Sequence, residues 1–259
     1  MDDSDEFGRR VASGDASLFG AVPSETTARD RQALLALHAA VRAEGDYIYL
    51  EIGSHLGGSL QAHCQDPRCR RIYSIDKRTA AQRDLRGLTF AYRNNSSARM
   101  LAALRAALGA KVGVIVTLDC DAAAVPPAAI TERPRLCFID AEHTTAAVIR
   151  DFAFCRAAMA DGIIAFHDAQ IVHRAIARCR RQLQRDGRRF RALKLPGAVY
   201  ALLLGDAVER EGARLAAVAE SDVWFRMTAS LAFAGAVVAA WWGRFELNVR
   251  AMTRPWLQG

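Results

Sequence analysis

Five short apolar runs, each ending at or just before an acidic residue, constrain the fold of this chain more than any other feature. The runs are residues 47–51, 71–76, 112–118, 135–140 and 162–168. Helical segments separate them, and short apolar strands that alternate with helices predict an α/β fold with a parallel sheet covered on both faces. Ligands of such sheets bind beyond the carboxyl ends of the strands. These ends carry Glu51, Asp76, Asp119 or Asp121, Asp140, His167 and Asp168.

A glycine-rich turn follows the first predicted strand. Residues 53–59 read Gly-Ser-His-Leu-Gly-Gly-Ser, and a helix-like segment opens at Ser59. In a strand–glycine–helix arrangement, backbone N–H groups face a ligand. Gly53 can adopt a backbone angle denied to other residues, and Gly57 and Gly58 let a ligand approach the main chain. The spacing is not that of the dinucleotide fingerprint, so the turn alone is a weak signal for a ligand site.

Asp76 stands at the end of the second predicted strand, 23 residues after Gly53. In nucleotide-binding folds, an acidic residue about 20 residues after the glycine turn accepts hydrogen bonds from ribose hydroxyls. An aspartate that is only solvated is the alternative. We favour ribose binding because the strand and the spacing agree.

Composition narrows the classes of protein that this chain can belong to. With 259 residues, 51% of them hydrophobic, the chain can bury one sizeable core. The formal charge of +7 comes mostly from arginine, because there are only three lysines. Arginine in an alanine-rich background indicates a composition shared by the whole sequence rather than a basic face on the protein surface. Nucleic-acid binding is therefore disfavoured.

The six cysteines are scattered, and several lie inside apolar runs. This pattern predicts buried reduced thiols and disfavours a zinc site. The first six residues are rich in acidic side chains, the opposite of a secretory signal peptide. We therefore expect a cytoplasmic location, with membrane association as the alternative.

Further segments flank the predicted sheet. Residues 1–25 are polar and predict a loose arm, and the periodicity of residues 27–43 predicts a helix. Residues 171–185 predict a helix with one arginine face, interpreted as solvated, with phosphate binding as the alternative. This face carries Arg174, Arg178, Arg181 and Arg185. Residues 190–195 and 199–204 predict a closing β-hairpin.

The tail differs in character from the rest of the chain. Residues 227–243 carry no charge, and Trp241 and Trp242 precede Arg244. This length lies at the low edge of what a membrane span requires. The favoured interpretation is a helix that is either buried within the protein or forms a dimer, and the second case would make the protein a homo-oligomer. Peripheral membrane contact is the second, and a true span is the third.

Residues 45–205 resemble the class I S-adenosylmethionine-dependent methyltransferases. The resemblance implies a Rossmann-like, doubly wound, mostly parallel seven-stranded sheet with helices on both faces, plus an N-terminal helix and an apolar C-terminal helical tail. It divides the chain into an arm and helix (1–44), the methyltransferase domain (45–205) and the tail (206–259). It also implies that Asp76 holds the ribose and that Asp119 or Asp121 contacts the adenine. The remaining cofactor-binding residues would be Glu51, Gly53, Ser54, Gly57, Gly58, Ser59 and Asp140.

Two further stretches, 138–144 and 163–168, are similar to a subgroup of metal-dependent sugar O-methyltransferases of the macrocin type. In that subgroup an Asp-x-x-His follows strand four, as Asp140 and His143 do here. The resemblance implies that Asp140 binds Mg²⁺, that His143 is the general base and that Asp168 is a second metal ligand. Related catechol-type enzymes have another oxygen ligand where this chain has Ala169. Glu142, His167 or the substrate would have to complete the site; the alternative is that the metal is absent.

The chemistry suits these residue types. A hydroxyl becomes a good nucleophile when its proton is removed, and histidine titrates near neutral pH. A hard cation binds carboxylate oxygens and would lower the pKa of a bound hydroxyl. The sequence therefore predicts an S-adenosylmethionine-dependent O-methyltransferase for a hydroxylated small molecule or glycan. The alternatives are methylation of RNA or protein and a catalytically inactive cofactor-binding scaffold.

Overall fold

The computed structural model of the protein describes residues 3–79, 81–92 and 94–253. The strands are β1 Tyr47–Ile52, β2 Cys69–Ile75, β3 Ala81–Arg83, β4 Thr89–Ala91, β5 Ile115–Leu118, β6 Leu136–Ile139, β7 Gly162–Phe166, β8 Phe190–Lys194 and β9 Tyr200–Leu204. The helices are α1 Asp3–Ala12, α2 Ala28–Ala43, α3 Gln61–Gln65, α4 Ser97–Leu108, α5 Thr145–Ala158, α6 Ala169–Arg185, α7 Ala207–Arg210, α8 Gly212–Ala216 and α9 Asp222–Thr253.

Within these described ranges, seven strands form the main sheet in the order β5-β2-β1-β6-β7-β9-β8. The first five are parallel to their neighbours, and β9 pairs antiparallel with both β7 and β8. This arrangement confirms the predicted Rossmann-like fold. The chain builds the sheet outwards from β1 on one side and from β6 on the other, so a crevice opens at the carboxyl ends of these two central strands.

The central strands consist mainly of apolar residues and are covered on both faces. Every residue of β1 is buried. Tyr47 and Tyr49 point to a core that includes α1 and α2, whereas Ile48, Leu50 and Ile52 point to a core that includes α5 and α6. This alternation follows from the two-residue period of a strand. Two cores hold the sheet between helical layers and fix where its strand ends lie.

The prediction of a loose arm over residues 1–25 is wrong. Helix α1 occupies part of it, and Phe7 and Val11 are buried against the core that includes α2. These two apolar residues lie four positions apart, so they share one face of a helix. This spacing can be read from the sequence, but the polar residues around it led to the prediction of a loose arm for the whole segment.

The uncharged stretch of the tail, residues 227–243, is helical, as predicted, and lies within α9. The interpretation of residues 227–243 as buried is wrong within this chain, because only 11% of the apolar window of α9 is covered. In the described part of the chain, α9 is the one helix that is long and apolar enough to cross a membrane, over Asp222–Trp242.

Candidate active site

A cleft of about 410 Å³ lies at the carboxyl ends of the central strands. Its volume falls within the range of small-molecule sites. The predicted site residues that line it are Gly53, Ser54, Gly58, Ser59, Asp76, Asp121, Asp140, His143, His167 and Asp168. Segments that are far apart in the chain therefore meet in one place.

The glycine turn is shaped by contacts with the protein itself. Gly53 has φ +95°, and a Cβ on it would lie 2.2 Å from the backbone oxygen of Asp140. A Cβ on Gly58 would lie 2.6 Å from Cα of Ser24. Gly57 has φ +79° and does not line the cleft, and a Cβ there would meet the side chain of Leu104. The glycines thus let neighbouring segments pack closely around the turn.

Glu51 lies beneath the turn and does not line the cleft. Its side chain is fully buried, and its carboxyl group accepts hydrogen bonds from the hydroxyls of Tyr49 and Ser59. Burial raises the pKa of Glu51 to about 8, although these two donors oppose the shift. Ser59 itself reaches the cleft, as does Ser54, whose hydroxyl bonds to that of Ser74 at 2.6 Å.

Asp76 lines the cleft at the end of β2. The backbone N–H of His55 donates to its Oδ2 at 2.9 Å, and the N–H of Arg78 donates to its Oδ1 at 2.7 Å. The guanidinium of Arg78 lies 3.4 Å from Oδ2. A carboxylate has about four acceptor positions. Three are used, so Asp76 can accept one further hydrogen bond.

The structure separates Asp119 from Asp121. Asp119 accepts hydrogen bonds from the Ser97 hydroxyl and from Nε of Arg78, and it does not line the cleft. Asp121 does line the cleft, where its Oδ1 caps a short 3₁₀ turn by accepting from the N–H of Ala123 at 2.9 Å. Of the two candidates for contact with adenine, only Asp121 lines the cleft.

Two aspartates and two histidines meet at the ends of β6 and β7. Nδ1 of His167 lies 3.1 Å from Oδ1 of Asp140 and 3.9 Å from Oδ2 of Asp168. Nε2 of His143 lies 3.3 Å from Oδ2 of Asp168 and 3.6 Å from Oδ1 of Asp140. Asp168 adopts a left-handed conformation with φ +48° at the start of α6. This strained backbone turns its carboxylate towards the histidines.

Charge pairing dominates the electrostatics of this cluster. Burial alone would lower the pKa of His167, but Asp140, Asp30 and Asp168 raise it to about 11. Burial would likewise raise the pKa of Asp140, but the two histidines lower it to about 2. The pKa of His143 is also raised, against its own burial, by Asp140 and Asp168. The carboxylates therefore hold a positive charge in the free protein.

Among the residues that the structure describes, one group of side chains could hold a metal ion. One oxygen of Asp140, one oxygen of Asp168 and one ring nitrogen of His167 lie within 4.8 Å of one another. Glu142 stands apart from this group, because it accepts hydrogen bonds from Lys77 at 2.7 Å and from Thr144 at 2.9 Å. Ala169 is buried in the core and has no ligand atom to offer.

Asp30 is a site residue that sequence reasoning missed. It lies 3.5 Å from Nε2 of His167, accepts from the N–H of Ala198 at 2.7 Å, and forms a capping box with Thr27 at the start of α2. The spacing Thr-x-x-Asp is a signal for a helix start. Only the packing of α2 against the sheet brings it to the cleft, from outside residues 45–205.

Comparisons with known proteins agree with this fold. Residues 50–169 match the family model described as a methyltransferase domain. A search of curated proteins finds no match. A calicheamicin methyltransferase is 17% identical in a structural match that covers 78% of this chain and 93% of the other, with a TM-score of 0.50. At this identity, the match shows a shared fold.

Two other solved structures are similar over comparable lengths. An O-methyltransferase from Streptomyces achromogenes, involved in tomaymycin synthesis and solved with S-adenosylmethionine, is 14% identical, with coverage of 77% and 89% and a TM-score of 0.48. An O-methyltransferase from Bacillus cereus is 14% identical, with coverage of 76% and 90% and a TM-score of 0.45. The domain match and the shared fold together support an enzyme of the methyltransferase type.

Proposed function

We propose that this methyltransferase-domain protein transfers the methyl group of S-adenosylmethionine to a hydroxyl of a small molecule or glycan, at a site assisted by a divalent cation. One observation carries the proposal. The glycine turn and Asp76 share a single cleft with the cluster of Asp140, His143 and Asp168. The residues proposed to bind the nucleoside therefore lie next to the residues proposed for acid–base chemistry. Methyl transfer to oxygen requires both.

The residues at one end of the cleft fit the cofactor. Asp76 has an acceptor position left for a ribose hydroxyl, and the turn at Gly53 and Ser54 exposes backbone to the cleft. Asp121 lies beside α5, with its Oδ2 3.8 Å from the guanidinium of Arg150, and Ala147 and Asp151 of the same helix also line the cleft. We assign this part of the cleft to the adenine. Glu51 supports the turn from below through Ser59.

The cation proposal is supported by the donor set. Asp140 and Asp168 supply the carboxylate oxygens that Mg²⁺ prefers, and His167 adds a nitrogen within the same 4.8 Å group. A cation held there would lower the pKa of an acceptor hydroxyl and orient it. Asp30 holds His167 from the opposite side of its ring, at 3.5 Å, and thereby fixes the imidazole next to Asp140.

We assign the general base to His143. The residue lines the cleft, and its buried Nε2 makes no hydrogen bond in the described residues and lies 3.3 Å from the carboxylate of Asp168. Asp140 and Asp168 raise the pKa of His143, so its Nε2 can accept the proton of a hydroxyl once it has released its own, which a cation that neutralises these carboxylates would favour. His167 is less suited, because carboxylates lie beside both of its ring nitrogens, Asp140 at Nδ1 and Asp30 at Nε2, and raise its pKa to about 11. The macrocin-type subgroup remains part of this proposal on the strength of Asp140, His143 and Asp168.

Calorimetric titration with S-adenosylmethionine tests the cofactor assignment. We expect micromolar binding by the wild type and its loss in Asp76→Ala. Asp119→Ala is the matched control, because this neighbouring aspartate does not line the cleft and its variant should bind normally. Equal affinity of the two variants, or no binding by the wild type, would overturn the assignment.

Binding of Mn²⁺, followed by electron paramagnetic resonance, tests the cation site separately. We expect Asp140→Asn and Asp168→Asn to weaken binding strongly and Asp121→Asn to leave it unchanged. Cation binding that is indifferent to Asp140 and Asp168 would remove the metal from the proposal and leave the cofactor assignment standing.

A further inference from the structure

We propose that helix α9 lies in the plane of an anionic lipid membrane, held by an exposed apolar stripe and by arginines of α6 at its side. This inference concerns a surface away from the cleft and is independent of the proposed reaction. It joins two features of the sequence that the reaction does not use, the uncharged tail and the arginine-rich helix.

The apolar stripe runs along one side of α9. Its large side chains are 54–74% exposed. Besides Val223 at the start of the helix, they are Trp224, Met227, Leu231, Val238, Trp241 and Trp242. Steps of three, four and seven residues keep nearly all of them on one face of the helix. From first to last they span about 27 Å. A continuous exposed stripe of this length marks an interaction surface.

The opposite side of α9 packs on the body of the protein. Phe225 and Ala229 are buried in the core that includes α6, and Phe233 packs against it. The Phe233 ring lies 5.7 Å from the ring of His173 and 5.8 Å from the guanidinium carbon of Arg174. These residues fix α9 against α6, so the stripe faces away from the domain.

Arginines surround the place where the two helices meet. A groove of about 420 Å³ between α6 and α9 is lined by Arg174, Arg178, Arg181 and Arg226, among others. Arg226 pairs with Asp222 at 3.0 Å. Arg178 and Arg181 are exposed, and no acidic partner is found for them in the described part of the chain. Such a groove matches the phosphate of an acidic lipid headgroup.

The packing favours a helix in the membrane plane over one that crosses the bilayer. Phe233 lies six residues into the uncharged stretch 227–243 and contacts Arg174. A crossing helix packed in this way would carry Arg174 into hydrocarbon, where a charged side chain is costly. An in-plane helix keeps the arginines at headgroup level and inserts the stripe. Tryptophans at both ends of the stripe suit this interface.

Charge also favours a membrane over a second copy of the chain. A helix–helix seam of this spacing normally has opposite charges beside it. Residues 227–243 carry no charge, and each copy has a net charge of +7. An anionic membrane supplies both an apolar phase for the stripe and negative charge for the arginines.

Vesicle flotation of the full chain, without cofactor, tests the proposal. We expect binding to vesicles of phosphatidylcholine mixed with phosphatidylglycerol, and weaker binding to phosphatidylcholine alone. Removing Arg178 and Arg181 by alanine substitution should weaken binding about 25-fold, at about fivefold for each arginine. Leu231→Asp should abolish it, because this exposed side chain lies at the centre of the stripe.

Matched controls separate the surface from general effects of charge and hydrophobicity. Arg105→Ala removes an exposed arginine on α4, and Val218→Asp changes an exposed apolar residue before α9. Both should bind like the wild type. No vesicle binding, or equal binding to neutral and anionic vesicles, would overturn the proposal. So would a dimer, seen by ultracentrifugation without lipid, that Leu231→Asp dissociates.

Discussion

Replacing Glu51 with glutamine should stabilise the protein at alkaline pH and change little in weak acid. The carboxyl group of Glu51 is fully buried and accepts hydrogen bonds from Tyr49 and Ser59. Burial disfavours the charged form and raises its pKa from 4.5 to about 8. Glutamine keeps the shape and an acceptor oxygen but cannot ionise.

The sign of the effect follows from proton binding. Between about pH 4.5 and pH 8 the folded state keeps a proton that the unfolded chain has released. The free energy of unfolding of the wild type therefore falls as pH rises through this window. The difference in pKa corresponds to a ceiling of about 5 kcal/mol. Relaxation around the ionised carboxylate reduces the cost, and we expect about 2 to 5 kcal/mol.

Urea unfolding of the wild type and Glu51→Gln, from about pH 5 to about pH 9, measures this difference. The curves of unfolding free energy should converge at the acidic end and diverge as pH rises. Glu44→Gln, at an exposed glutamate, should follow the wild type throughout. Parallel curves for the wild type and Glu51→Gln would refute the reasoning, because other titrating groups are common to both proteins.

Three further predictions concern the cleft. Gly53→Ala should lower the free energy of unfolding by about 3 kcal/mol or more, because the new Cβ would meet the backbone of Asp140. Thermal unfolding measures this loss. Gly109→Ala is the control, because Gly109 also has a positive φ but has open space around it. Once a methyl acceptor is identified, His143→Ala should reduce kcat by about 10²- to 10⁴-fold, while calorimetry should find the affinity for the cofactor unchanged. Turnover at the wild-type rate would exclude His143 as the base. Thr27→Ala should cost about 1 kcal/mol in urea unfolding through its lost cap on α2, and no loss would show that Asp30 caps the helix alone.

The sequence alone was sufficient to predict the sheet and the edge of the sheet at which the polar residues lie. Strand and helix periods are local, and buried parallel strands need apolar residues throughout, so β1, β6 and β7 were recognisable from their composition. Because parallel strands end on the same edge, the order of the strands and helices along the chain is enough to place Asp76, Asp140 and Asp168 together.

Only the tertiary structure decided which polar groups reach the cleft. Glu51 and Asp76 both end strands, yet Glu51 is enclosed beneath the turn because Tyr49 and Ser59 close over it. Asp119 and Asp121 are two residues apart, and the 3₁₀ turn after them brings only Asp121 to the cleft. At the end of a strand, where a turn begins, a displacement of one or two residues changes the direction of a side chain, and sequence spacing cannot resolve it.

Contacts between distant segments lay beyond the sequence for a related reason. Asp30 reaches His167 because α2 packs against the sheet. The outer side of the apolar tail stays exposed because the core that includes α6 takes only Phe225 and Ala229 from α9, with Phe233 packed against it. The local sequence pattern shows how apolar a segment is, but not whether the core has space left for it. Local composition thus determined the elements and the edge where chemistry lies, whereas close packing between segments determined which side chains occupy that edge and which surface was left uncovered.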